Sequence, residues 1–174
     1  TSEVWTDLTT NATRGTTYTY TFHPNGLMAT MTVTTPSGAT TFGYDTSGNP
    51  TSVFDPIGNQ TIYAGYNGLG LPGSMTDANG VVTLFGYHAN GNLLTATQQL
   101  PTGTRTTTYT YNHNRQVTDI VRADGSGVRL RYDAAMKLIQ SGNAAGQFVT
   151  RSYNVSTREE QFTSSRQVPY LSGG

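Results

Sequence analysis

The chain has little of what builds catalytic and metal sites in small proteins. It contains no cysteine among its 174 residues, which excludes a disulfide framework, a thiol nucleophile and cysteine metal sites. The compartment stays open, because secreted proteins can also lack cysteine. Helix formers are scarce, and no run of about 18 apolar residues predicts a membrane-spanning helix.

Charge is also scarce and unevenly placed. Only 11% of the residues are charged, and Lys137 is the single lysine. Residues 1–100 hold one base and five acids, whereas residues 101–174 hold nine bases and five acids. A nucleic-acid binder needs a concentrated basic face, so this distribution favours a solvated surface and no nucleic-acid partner.

Threonine, glycine and tyrosine are abundant instead, with 32, 20 and 11 copies. This composition is typical of strands and tight turns. In residues 17–22 the aromatic side chains alternate with threonine, which predicts a strand with one aromatic face. A chain of this length could bury a core of ordinary size.

The sequence repeats about seven times with a period of roughly 22 residues. Each unit has an aromatic residue, a short polar stretch and often a glycine, and the aromatics are 22, 22, 21, 24, 21 and 21 residues apart. A second turn signal follows about midway through each unit. The predicted structural markers are Phe22, Gly26, Tyr44, Asp45, Gly48, Asp55, Gly58, Tyr66, Gly70, Asp77, Gly80, Tyr87, Gly91, Tyr111, Gly125, Tyr132, Asp133 and Tyr153.

The turn residues predict hairpins. Asn-Gly pairs such as Asn25-Gly26 and Asn79-Gly80 indicate type I′ turns, in which both central residues need φ > 0. Later units replace the first glycine by Arg115, Met136 and Thr157. Those turns must use another geometry or accept strain.

The predicted fold is all-β, with about fourteen strands of five to seven residues in one antiparallel sheet. Such a sheet should curl or spiral, with its larger apolar face inward, and its unpaired edges should meet further sheet from the same parent protein or another copy. We expect a lead-in over residues 1–15, the repeat array over 16–157 and a tail over 158–174. Thr1 and the residues after it do not form a signal peptide, which favours a piece of a longer protein.

The repeat resembles the YD repeat of the Rhs family, whose relatives include toxin-complex C components, bacterial wall-associated repeat proteins and teneurins. The Tyr-Asp-x-x-Gly core stands at residues 44–48, with Asp-x-x-Gly at residues 55–58. The likeness runs from about Thr16 to Thr157. The Arg-Leu pair of the family is replaced after Gly48 by Asn49-Pro50.

The resemblance implies a spiralling β-sheet that forms part of a hollow shell enclosing or displaying a toxin. It also implies a secreted or cell-surface location, with export by a bacterial secretion system and an enclosed toxin polypeptide as partner. The aspartate self-cleavage segment of these proteins is not found here. Asp55-Pro56-Ile57-Gly58 resembles one of its elements, but it sits at an ordinary mid-repeat turn and is interpreted as a turn.

Other candidate sites have simpler interpretations. His23, His88 and His113 occupy turn positions that hold Asp or Asn elsewhere, and no third ligand completes a metal site. Asp55 and Asp77 could pair for glycoside hydrolysis but fit turn aspartates better. Since no complete catalytic motif is present, we expect no enzyme activity, no cofactor and no metal.

Two alternatives stay open. Stacked tyrosines could offer sugars an aromatic platform, as in a cell-surface adhesion or carbohydrate-binding module with glycans as ligands. Packing between strands explains them more simply. The free sheet edges could also join copies into a self-assembling extracellular fibre. The Asn-x-Ser/Thr triplets at Asn11, Asn59 and Asn154 are expected by chance in so threonine-rich a chain.

Overall fold

The computed structural model describes residues 2–6, 13–154 and 156–165. They form fifteen strands and no helix within those ranges. Contacts divide the chain into two compact units between Phe85 and Gly86. The all-β prediction is confirmed, with one strand more than the fourteen or so expected. None of the described segments is a helix long and apolar enough to cross a membrane.

In the first unit, each strand pairs antiparallel with the next along the chain. The strands are β1 (Ser2–Thr6), β2 (Thr13–Phe22), β3 (Met28–Thr35), β4 (Gly38–Tyr44), β5 (Pro50–Phe54), β6 (Gln60–Ala64), β7 (Ser74–Thr76) and β8 (Val82–Tyr87), of which residues 82–84 pair with β7.

The second unit repeats the pattern of consecutive antiparallel pairs. Its strands are β9 (Leu93–Leu100), β10 (Gly103–Tyr111), β11 (Val117–Val121), β12 (Gly127–Tyr132), β13 (Leu138–Asn143), β14 (Phe148–Asn154) and β15 (Glu159–Ser165). Strands β1 and β15 lie largely in the segments expected as lead-in and tail.

The two faces of each sheet differ in character. In the first unit, Tyr20, Met31, Phe42 and Val53 are opposite one another on successive strands and form an apolar row. The opposite face carries threonines that bond across strands, with 2.9 Å between the hydroxyls of Thr32 and Thr41 and a comparable pair at residues 21/30. The second unit has such pairs at residues 97/106 and 110/118. Alternation with period two places each set on its own face.

The second unit keeps this division. Its apolar face carries the row Tyr109, Ile120 and Val128. On the opposite face, Asp119 is across from Arg129, and their side chains form an ion pair at 3.6 Å.

The chain is long enough to bury a core of ordinary size, but the structure has no such core in the residues whose burial it describes. Among residues 15–153 and 156–165, no hydrophobic side chain is buried, and Thr83 is the one buried polar residue, at 7% exposure. Each unit is a single sheet, so its side chains cover one another along the sheet without a second layer packing on top.

Candidate functional site

The first turn has one recurring geometry in the first six repeats. At Asp45, the backbone N–H donates to the Asn49 carbonyl at 2.9 Å, and the Gly48 N–H donates to the Asp45 carbonyl at 3.0 Å. The same two bonds form at His23, Asn67, His88, Asn112 and Asp133. This is a three-residue loop, in which a type I turn is followed by a left-handed residue.

The predicted type I′ turns are therefore wrong. Among the described residues, positive φ outside glycine occurs only at Arg115, Met136 and Arg158. Asn25 and Asn79 thus have negative φ, while the glycine after each is left-handed, with φ of 82° at Gly26 and 79° at Gly80. The Asn-Gly pair forms the end of a type I turn followed by a left-handed glycine. This geometry needs one residue with φ > 0, whereas a type I′ turn needs two.

Units that lack the first glycine keep the geometry and accept the strain. Arg115 and Met136 both have φ of 63° in the position that Gly48 fills with φ of 86°. The third replacement was expected at Thr157, but the positive φ lies one residue later, at Arg158 with 57°. A left-handed non-glycine residue costs about 1–2 kcal/mol, so the later turns need other stabilising contacts.

Asp45 shows how a side chain fixes the turn. Its Oδ1 accepts from the backbone N–H of Ser47 and of Asn49, and its Oδ2 accepts from the Asn49 amide at 3.0 Å. The bonds from Asn49, side chain first, hold the pKa of Asp45 below its ordinary value. The carboxylate is thereby held ionised and engaged in its own loop.

The residue four positions after the turn Asx was missed from sequence. Asn59 repeats the role of Asn49, donating to Asp55 Oδ2 at 2.7 Å, and Gln116 pairs with Asn112 at 3.0 Å. At Asp55, burial acts to raise the pKa, but the bonds from Asn59 and the Ile57 N–H outweigh it and lower the pKa. The available signal was an Asn or Gln four residues after the turn Asx, as at Asn49, Asn59 and Gln116.

The histidines lie in these turns. The His23 Nε2–H donates to the Tyr44 carbonyl at 2.9 Å, and His88 Nδ1 accepts from the Asn90 N–H at 3.2 Å. His113 is exposed at the centre of a turn. Within the described residues, no group of three acidic or histidine side chains converges as a metal site would require.

The mid-repeat turns engage the remaining aspartate candidate. Asp77 Oδ1 accepts from the backbone N–H groups of Asn79 and Val81, each at 2.9 Å. Asp55 and Asp77 are each bonded to their own loop, which is the arrangement of turn residues. Of the Asn-x-Ser/Thr triplets, those at Asn11 and Asn154 lie partly outside the described residues.

The repeat tyrosines form hydrogen bonds with the preceding sequence repeat. The Tyr111 hydroxyl donates to the Leu93 carbonyl at 2.8 Å, the Tyr132 hydroxyl to the Val117 carbonyl at 2.9 Å, and the Tyr66 hydroxyl to the Pro50 carbonyl. Each acceptor lies six residues after the aromatic of the preceding unit. Burial, helped by Tyr109, raises the pKa of Tyr111.

The aromatic markers differ in exposure. Tyr44, Tyr66, Tyr87, Tyr111 and Tyr132 are half-buried. The end markers are more open, with Phe22 65% and Tyr153 54% exposed. Half-buried rings with bonded hydroxyls link neighbouring strands, so less of their aromatic surface is exposed for a sugar to stack on.

Adjacent turns also contact one another. The Asn25 amide donates to the Thr46 carbonyl at 2.8 Å, and the Gln116 amide donates to the Met136 carbonyl at 2.8 Å. The guanidinium of Arg115 bonds to the Asn90 carbonyl, so a strained residue also provides a link between turns. Hydrogen bonds from side chains to backbone carbonyls therefore join successive turns, which is the chemistry of a structural scaffold.

Residues 66–104 match the family model of the RHS repeat. This match covers 39 of the 174 residues, and in that part of the chain it confirms the resemblance to the Rhs/YD repeat. No curated protein matches the chain.

Among solved structures, the chain is similar to the crystal structure of TcdB2–TccC3–Cdc42, with 16% identity and a TM-score of 0.39 over 89% of this chain and 13% of that one. It is also similar to the Photorhabdus luminescens Tc holotoxin pore with a mutated TccC3, with 13% identity and a TM-score of 0.47 over 87% of this chain and 11% of that one. It is similar as well to the crystal structure of TcdB2–TccC3, with 15% identity and a TM-score of 0.41 over 94% of this chain and 14% of that one. The chain thus spans 11–14% of the length of these chains.

Proposed function

We propose that this chain is a non-catalytic structural segment of an Rhs-type shell, which encloses or displays a toxin polypeptide. The observation that carries the proposal is the RHS repeat at residues 66–104, set in an array whose polar side chains are used in turns. A scaffold of this kind needs continuity between units, and it has that in the tyrosine bonds and the turn-to-turn bonds.

The proposed partners follow from the same reasoning. Strands at a sheet edge present unpaired backbone groups that another strand can join. We therefore assign further repeats of the parent protein, or other copies, to the edges, and a toxin polypeptide to the enclosed space. Secretion or display at the cell surface belongs to this proposal.

Protease protection in the parent protein tests the proposal. The parent protein is purified from its source, digested under native conditions, and the surviving peptides are identified by mass spectrometry. We expect a polypeptide segment outside the repeats to survive while the array is intact. The variant Gly38→Ala, which disturbs the contact between two turns, should expose it.

Gly68→Ala is the matched control, because a Cβ at Gly68 meets nothing within 4 Å and the φ of Gly68 is not positive. Digestion of every segment outside the repeats at the same rate in the wild type and in Gly38→Ala would contradict enclosure. It would favour the adhesion module or the fibre.

A further inference from the structure

The hairpin of β9 and β10 projects beyond its neighbour. The aromatics Tyr87 and Tyr111 are 24 residues apart, whereas the aromatics of the other sequence repeats are 21 or 22 residues apart. In the first unit, Thr41, three residues after Gly38, pairs with the strand residue that precedes the next turn. In the second unit, the equivalent strand residue before the next turn is Val121. It pairs with Thr108, which lies five residues after the loop glycine Gly103. The loop at 101–103 therefore overhangs by two residues, or about 7 Å.

The overhang opens a pocket. A Cβ on Gly38 would lie 2.5 Å from the Cβ of Pro56, so those two turns touch, whereas a Cβ on Gly103 would meet nothing within 4 Å. Beside the overhang is a pocket of about 450 Å³, which lies in the size range of small-molecule sites. It is lined by Gln98, Arg105, Thr107, Arg122, Ala123 and Asp124.

Two arginines share this pocket. Arg105 is opposite Gln98 in the β9–β10 pairing, and the pairing of Thr108 with Val121 places Thr107 across from Arg122. Arg105 and Arg122 are therefore diagonal neighbours on one face, with backbones about 7–8 Å apart. The equivalent loop of the first unit carries Val33 and Thr40 where this one has Gln98 and Arg105.

Arg122 is partly engaged within the pocket, because its charge, after the hydrogen bonds from Ser126, helps to lower the pKa of Asp124. Among the described residues, the ion pairs are Arg129–Asp119 and Arg151–Glu160, so neither pocket arginine belongs to one. Arg122 has a long contact of 3.5 Å to the Ser126 hydroxyl. Two adjacent arginines can grip a carboxylate or sulfate through paired charge-assisted bonds.

We propose that this pocket binds a small acidic sugar, with its oxyanion held between Arg105 and Arg122. The Gln98 amide and the Thr107 hydroxyl each donate and accept, which suits sugar hydroxyls. Asp124 accepts from the Ser126 N–H at 2.9 Å, and hydrogen bonds from Ser126 lower its pKa. This carboxylate can accept from further hydroxyls and opposes ligands with a second anionic group. The site is independent of the proposed shell function.

Titration of the 174-residue chain with sodium glucuronate, followed by NMR of the arginine Nε–H signals at low ionic strength, tests the site. Glucose is the probe that lacks the charge, and acetate is the probe that lacks the hydroxyl groups. We expect saturable shifts of the Arg105 and Arg122 signals with glucuronate, and at least tenfold weaker binding of glucose and acetate.

Arg105→Gln and Arg122→Gln should each weaken glucuronate binding at least tenfold. Arg131→Gln removes the same charge from the opposite face, where Arg131 is exposed, and should leave binding unchanged. Acetate binding as tightly as glucuronate would overturn the acidic-sugar assignment. Equal effects of Arg105→Gln and Arg131→Gln, or shifts that never saturate, would overturn the site.

Discussion

Alanine at two turn glycines should separate backbone strain from a steric clash. Gly48 has φ of 86° and open space around its Cβ position, whereas Gly38 has φ of 124° and would place a Cβ 2.5 Å from that of Pro56. At Gly48 the left-handed conformation costs about 1–2 kcal/mol, and the stiffer unfolded chain returns about 0.4–1 kcal/mol. We expect Gly48→Ala to lower the free energy of unfolding by about 1 kcal/mol.

Gly38→Ala has the same kind of strain plus the displacement of Pro56. Forced overpacking costs about 1–3 kcal/mol, so the total loss should be about 2–4 kcal/mol. The control Gly68→Ala, without positive φ or close contact, should be neutral or slightly stabilising. Urea denaturation followed by circular dichroism measures all three. A Gly38→Ala variant no less stable than Gly48→Ala would refute the contact between adjacent turns.

Three further predictions concern side chains. Tyr111→Phe removes the bond to a neighbouring unit and should cost about 0.5–1.5 kcal/mol by urea denaturation, whereas Tyr109→Phe should cost less; equal losses would contradict the linking role. The pKa of Asp45 is lowered in the folded state, so its contribution to stability is complete above its unfolded pKa and is lost as the pH falls through the folded value. A pH series from 6 to 2 should therefore show less acid destabilisation in Asp45→Asn than in the wild type, and identical curves would refute it. Met136→Gly relieves a left-handed residue and should raise the urea midpoint, because the relief of about 1–2 kcal/mol exceeds the added unfolded-state entropy of about 0.4–1 kcal/mol; an unchanged or lower midpoint would show that the φ of 63° costs little.

The repeat and the strands were predictable because both are written locally. Alternation with period two and a steady spacing of aromatics fix where strands start and end. The turn type was not predictable from Asn-Gly alone, because that pair suits two hairpin geometries. At Asn79-Gly80 the observed turn is supported by Asp77, whose carboxylate accepts two N–H groups of the loop.

The missing core and the pocket depend on pairing that one strand does not specify. Composition shows that Phe42 and Tyr20 are apolar, but whether a second layer covers them depends on the arrangement of whole sheets. The spacing of 24 residues was visible in the sequence. Its consequence required the register that pairs Thr108 with Val121, which sets the overhang and brings Arg105 near Arg122.

Native mass spectrometry of the purified protein tests the central claim most directly. If the chain is a structural segment whose edges pair with further sheet, the spectra should show assemblies well above the 18.7 kDa of the single chain, or a complex with a second polypeptide. A single soluble species at 18.7 kDa under all conditions would contradict the account. It would mean that the sheet edges are closed within the chain and that the protein is a self-contained module.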